Sequence, residues 1–205
     1  VKLDIETKGK NIGYIMGAGD EVNKNLENLG FKVSTINPNE ISIEKLQQFD
    51  AVILGIRAFN VVDDLKYKNK ILFQYVENGG NLIIQYNTTN NLVTKEIAPY
   101  NLELSRDRVT DENAKVTFLT PNHKVLNQPN KITEKDFTGW VQEQGLYYPY
   151  KWSSEFIPIL ASNDEGESSK TGGLVIAKFG KGNYIYTGLS FFRELPEGVS
   201  GAYRL

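Results

Sequence analysis

Residues 1–100 alternate short apolar runs with segments of helical period, a rhythm that a chain satisfies by stacking βα units. "NIGYIMG" (11–17) reads as a buried strand, and "DEVNKNLENLG" follows with Val22, Leu26 and Leu29 at helical spacing, Asp20 near its start and Gly30 as its stop. "FKVSTI" gives a second strand and "SIEKLQQF" a short helix. "AVILGI" (51–56) is a third strand, whose unbroken apolar character suits a sheet covered on both faces. "DDLKYKNKILFQYVENGG" opens on two acids, sets Leu65, Leu72 and Val76 on one side and ends at Gly79-Gly80, before "NLIIQY" supplies a fourth strand. Such alternation implies parallel strands joined by right-handed crossovers. The expected fold is α/β: a Rossmann-like or flavodoxin-like, mostly parallel sheet with helices on both faces.

From about residue 101 the rhythm changes to strand signals joined by turns, in "LELSRDRV", "AKVTFLT" and "FIPILAS". "GGLVIAKFGKGNYIYTGLS" holds two apolar runs around Gly180-Lys181-Gly182, a C-terminal hairpin expected to finish the sheet. "SNDEGESSKTGG" is polar and glycine-rich, hence an exposed loop. At 205 residues the chain buries one substantial core, so residues 1–205 are expected to form a single domain, with 101–205 as its β-richer completion.

Composition removes several functions. The chain has no cysteine, which excludes disulfides, thiolate metal sites and cysteine nucleophiles together. A formal net charge of -2 with interspersed signs offers no basic surface for nucleic acid. No apolar run approaches the ~20 residues needed to cross a bilayer. The opening on Val1 and the ending "GAYRL" read as those of a piece of a longer protein.

Several phrases carry a resemblance. "FLTPNHKVLNQPNKITEKDFTGW" and the closing "AKFGKGNYIYTGLSFFREL" resemble segments of ThuA-like proteins in the class I glutamine amidotransferase-like superfamily. "GYIMGAGDEV", "VILGIRAFN", "GGNLIIQYNTTNNLV", "LSRDRVT" and "GWVQEQGLYYP" together are similar to the amidotransferase-like domain found C-terminal in PIG-L/LmbE-type deacetylases of Bacteroidetes-like bacteria. The resemblance implies an upstream zinc-dependent N-deacetylase domain as partner within the same chain, and it favours a periplasmic or secreted location. The deacetylase's early His-Pro-Asp-Asp metal motif is not in this sequence, so no metal site and no cofactor are expected here.

A glutaminase needs its nucleophile on a tight strand-to-helix turn lined by oxyanion donors. The corresponding phrase, "IIQYNTTN", offers Tyr86, Asn87, Thr88 and Thr89, none of them a thiol, and His123 is the only imidazole in the chain. "GAGDEV" lacks the third glycine of a dinucleotide fingerprint because Val22 stands in its place, so Asp20 reads as a helix cap. Ligands of open α/β sheets settle beyond the carboxyl ends of the strands, where Gly17, Gly19, Asp20, Arg57, Asn60, Tyr86 and Asn87 would converge. "SRDRV" would set Arg106 and Arg108 on one side of a strand, their forked donors suited either to a carboxylate or sugar hydroxyls, or to internal salt bridges. "DFTGWVQEQGLYYPYKW" places Phe137, Trp140, Tyr147, Tyr148, Tyr150 and Trp152 beside Asp136, Gln142 and Glu143, either as a carbohydrate platform or as packing anchors. The candidate ligand-binding set is therefore Arg57, Asn60, Tyr86, Asn87, Arg106, Arg108, His123, Asp136, Trp140, Glu143, Arg193 and Glu194, with no catalytic residue assigned. Three functions follow as expectations. The first is a non-catalytic accessory domain that binds glycan or packs on a catalytic domain. The second is a ThuA-like sugar-processing enzyme working through Asp136, Glu143, Glu194 and His123, and the third is a purely structural interaction module.

Overall fold

The computed structural model describes residues 4–205. Strands β1 (Asn11–Ile15), β2 (Lys32–Thr35), β3 (Ala51–Leu54) and β4 (Asn81–Gln85) run parallel, linked by helices α1 (Val22–Asn28), α2 (Ile43–Leu46), α3 (Ala58–Val61) and α4 (Leu65–Glu77). After β4 come short strands β5 (Leu102–Leu104), β6 (Arg108–Val109), β7 (Thr117–Phe118), β8 (Gly145–Leu146) and β9 (Pro149–Trp152). They are followed by β10 (Phe156–Pro158), β11 (Leu160–Ala161), β12 (Leu174–Phe179) and β13 (Gly182–Thr187), and by helices α5 (Phe191–Glu194) and α6 (Ser200–Arg204).

The seven-stranded main sheet has the order β10-β12-β13-β4-β3-β1-β2. The run β2-β1-β3-β4-β13 is parallel throughout and follows the flavodoxin-like 2-1-3-4-5 sequence, with β12 and β10 added antiparallel at the far edge. The expected α/β fold and its closing hairpin are both present.

Period-two alternation divides the core between the two faces. Val52, Leu54, Leu82, Ile84, Val175, Tyr184 and Tyr186 pack with Leu46, Leu65, Leu72 and Val76 from α2 and α4 on one face. Ile12, Tyr14, Ile53 and Ile176 meet Val22 of α1, the 116–140 segment, Leu195 and Ala202 on the other. α4 stops where Gly79 takes φ +116° and Gly80 N–H closes back on Tyr75 O at 2.9 Å, which is the physical content of the Gly79-Gly80 signal. A mostly apolar cleft of about 370 Å³ opens on the second face between Ile12, Ile53, Ile83, Ile185 and α1.

Two local readings need correction. "LELSRDRV" is not one pleated strand: β5 and β6 are separate, and Arg106 sits between them where Asp107 N–H bonds Ser105 Oγ at 2.8 Å. A side chain turned back onto its own backbone offers an alternative to the ladder, so the chain bends there. "IIQYNTTN" leads into irregular chain rather than a helix, so it lacks the strand-to-helix turn on which a nucleophile elbow depends. α3, α5 and α6 are too short to show a helical period, and the sequence carries no signal for them.

Candidate functional site

Parallel register sets the site. Leu54 of β3 lies beside Ile84 of β4, and Gln85 of β4 beside Thr187 of β13, so these three strands end together and point the same way. The residues just beyond them, Gly55–Arg57, Tyr86–Asn87 and 188–193, form a common rim.

At the neighbouring β1/β3 switch point the crevice is closed. Asp20 Oδ1 accepts from Tyr14 Oη at 2.5 Å and Val22 N–H at 3.0 Å, while its Oδ2 accepts from Ile56 N–H at 3.1 Å. Ala18 N–H donates to Ile56 O at 2.8 Å, and a Cβ on Gly17 would meet that same oxygen at 2.1 Å. Gly17 is therefore required by close approach, and Asp20 ties two loops together without being the N-cap itself. Burial pushes the Tyr14 hydroxyl far above its usual pKa, with Asp20 adding to the effect.

Two asparagines staple the rim. Asn87, with no exposure, accepts from Phe59 N–H at 2.8 Å, donates to Gln85 O at 2.9 Å, and gives its own N–H to Tyr186 Oη at 3.0 Å. Asn60 donates to Thr88 O and Asn90 O and accepts from Thr88 N–H at 2.9 Å. Both side chains spend their polar atoms on backbone, which leaves them a structural role.

The open part of the rim is aromatic and cationic. Tyr86 is 8% exposed and forms a small cluster with Ile56 and Leu146, against which Tyr147 and Phe192 pack. Tyr147 lies nearly parallel to Tyr86, ring centroids 6.0 Å apart, and Phe192 is 5.2 Å from Tyr86. The 144–148 segment is docked here by Leu146 N–H to Gly188 O and Ser190 N–H to Gln144 O, each 2.9 Å. Arg193 stacks over Phe192 at 4.9 Å, bonds Gln142 Oε1 and pairs with Glu143 at 3.2 Å. Arg57 makes no hydrogen bond or ion pair through its guanidinium among the described residues, and its Nε is buried without a partner. Burial raises the Tyr86 pKa, opposed by the positive charges of Arg57 and Arg193, so both cations lie within electrostatic reach of this ring.

Three non-glycine residues of this rim, Arg57 (φ 57°), Gln142 (φ 65°) and Tyr147 (φ 52°), adopt the left-handed conformation. Each costs ~1–3 kcal/mol, and such strain clusters at functional sites. Behind the rim, Glu194 is fully buried, accepts from Val141 N–H at 2.9 Å through Oε2, and leaves Oε1 unpartnered. Burial drives its pKa up to about 7.

The remaining candidates lie outside this arrangement. Trp140 is 3% exposed, donates to Asp136 O at 2.9 Å and packs between Phe137 and Phe191, so it is core and presents no face to a sugar. Asp136 accepts from Thr133 and pairs with Arg204 at 2.8 Å. His123 accepts from Val125 N–H at 3.3 Å through Nδ1, and partial burial lowers its pKa. Arg106 and Arg108 are exposed and make no ion pair among the described residues. The acid set Asp136, Glu143, Glu194 and His123 is thus dispersed among separate tasks. No group of three or more His, Cys, Asp or Glu suited to a metal occurs among the described residues, and no helix there is long and apolar enough to cross a membrane. Sequence reasoning misses Phe192 altogether. It shows Tyr147 only as one of six aromatics, because nothing in composition announces a positive φ.

No protein-family model matches the sequence, and no curated protein matches it. Solved structures do match. A ThuA-like protein from Bacteroides uniformis aligns with a TM-score of 0.54 at 14% identity, over 95% of this chain and 87% of that one. A protein described as a GMP synthase subunit, from Thermoplasma acidophilum, aligns at 0.52 and 11% identity, over 97% and 96% of the two chains. A cold-adapted β-galactosidase from Rahnella sp. R3 aligns at 0.54 and 14% identity, over 97% of this chain but 30% of that enzyme. At these identities the likeness is one of fold, the α/β fold that the ThuA-like protein also has.

Proposed function

We propose that this chain is a non-catalytic, carbohydrate-binding accessory domain that uses an amidotransferase-like fold as scaffold, in a longer protein of the PIG-L deacetylase type. The single observation carrying this reading is the placement of two strained residues at Tyr86: Tyr147 stacks on its ring, and Arg57 N–H bonds its backbone carbonyl at 2.7 Å. A half-buried aromatic face beside a guanidinium has the features that hold a sugar: the ring stacks on C–H groups while the fork donates to oxygens.

Asn87 is fully engaged with backbone, Thr88 Oγ1 donates to Asn90 O at 3.1 Å, and the only imidazole is spent on a turn. The rim thus supplies no activated nucleophile and base in contact. The accessory role draws support from the β-galactosidase, where the same fold occupies under a third of a larger enzyme. The deacetylase context rests on the resemblance of "GYIMGAGDEV", "VILGIRAFN" and "GWVQEQGLYYP" to that family's C-terminal domain.

The test is calorimetric titration with monosaccharides and their methyl glycosides, alongside an assay for ammonia release from glutamine. Saturable sugar binding that Tyr147→Ala weakens at least tenfold, with no ammonia release, is expected. Glutamine hydrolysis, or sugar binding indifferent to Tyr147, contradicts the proposal.

A further inference from the structure

On the rim, the Arg57 guanidinium has no hydrogen-bond or ion-pair partner among the described residues. Two guanidinium groups, from Arg57 and Arg193, bear on Tyr86, and the Arg193 charge is met by Glu143 at 3.2 Å and by Gln142. Arg57 is held in place by its backbone, where its N–H donates to Tyr86 O at 2.7 Å and its φ of 57° fixes the departure of the side chain. Its Nε is buried and unpartnered, while the residue as a whole is partly exposed. A buried donor on a charged group that lacks a partner is costly to keep unless something occupies it, and a carboxylate is the acceptor whose geometry fits a guanidinium fork. The carboxylates nearest this part of the rim are committed elsewhere: Glu143 pairs with Arg193 at 3.2 Å, Asp20 accepts from Tyr14 Oη and from the N–H groups of Val22 and Ile56, and Glu194 has one oxygen on Val141 N–H. None of them bonds the Arg57 guanidinium.

We infer that the site selects sugars bearing a carboxylate, uronic acids as a class, with the ring on Tyr147 and the carboxylate on Arg57. This deepens the carbohydrate-binding reading and rests on it. A neutral sugar would satisfy the aromatic face but offer the fork of Arg57 only uncharged hydroxyl oxygens, weaker acceptors than a carboxylate. A uronate satisfies both, and its charge balances that of Arg57.

The experiment uses matched probes that differ only at C6: methyl glucuronide, methyl galacturonide and methyl mannuronide, each with its neutral methyl hexoside and its uronate methyl ester. Affinities are measured by NMR titration on the wild-type chain, Arg57→Gln and Arg57→Lys. At least one uronide is expected to bind about tenfold more tightly than both its neutral partners, a preference that falls as salt rises. Arg57→Gln is expected to reduce the preference to within about twofold, and Arg57→Lys to retain part of it as a point charge without the fork. Because the comparison with esters needs no variant, a folding defect in Arg57→Gln leaves the test intact. Equal binding of uronide, ester and hexoside overturns the inference and leaves carbohydrate binding standing. A preference that survives Arg57→Gln overturns the assignment to Arg57. Binding of none of the probes overturns both readings.

Discussion

Replacing Glu194 by glutamine isolates the charge that the fold holds least willingly. The carboxyl is fully buried, one oxygen accepts from Val141 N–H, the other has no partner, and burial lifts its pKa from 4.5 to about 7. Arg193 opposes that rise, whereas Glu197 and Glu112 add to it. The sign follows from linkage. The native state binds this proton more tightly than the unfolded chain, so the contribution is fully present below about pH 4.5 and is lost as pH rises through about 7. At ~1.4 kcal/mol per tenfold change in proton affinity the loss amounts to at most about 3 kcal/mol, less wherever water reaches the carboxyl. Glutamine keeps an oxygen for Val141 N–H and cannot ionise. Urea unfolding of both proteins between ~pH 5 and ~pH 8.5 is expected to show the variant gaining up to about 3 kcal/mol on the wild type as pH rises, most of it by about pH 7.5. Parallel stability curves would refute the reasoning, since Glu194 would then titrate alike in both states.

Tyr14→Phe removes the hydroxyl that donates to Asp20 and accepts from Gln85 Nε2 at 2.9 Å, and is expected to lower unfolding free energy by about 1–3 kcal/mol in chemical denaturation. Asn87→Ala strands the buried Phe59 N–H and is expected to cost a similar or larger amount, about 2–3 kcal/mol, without changing the fold seen by circular dichroism. Trp140→Ala opens a core cavity and is expected to cost about 3–5 kcal/mol, measured as a fall in the denaturation midpoint, while sugar affinity stays within about twofold at temperatures where the variant is folded.

Much of the fold is legible in the sequence because it rests on periodicity. The apolar runs ending at Leu54 and Gln85 and the glycine stop at Gly79 report local preferences that the sheet then uses unchanged. Arg57 and Tyr86 are also readable as chemistry placed near strand ends, the general address of ligands in such sheets, whereas Glu143 and Arg193 stand in the candidate set without that address. What stays hidden is competition for polar atoms. Asn60 and Asn87 look like ligand contacts until their backbone partners are seen, and Trp140 looks like a platform until Asp136 O and Phe137 enclose it. The left-handed turn at Tyr147, which lays its ring over Tyr86, depends on a segment docked from 188–190 and has no signature in neighbouring residues.

The most direct measurement is mapping of sugar-induced chemical shifts on isotope-labelled protein, reading aromatic carbons and arginine Nε groups together. Saturable shifts are expected at Tyr147, Tyr86, Phe192 and Arg57 Nε, with Trp140 and His123 unmoved. Shifts centred on the apolar cleft of Ile12, Ile53 and Ile83, or none at the rim under saturating sugar, would contradict it.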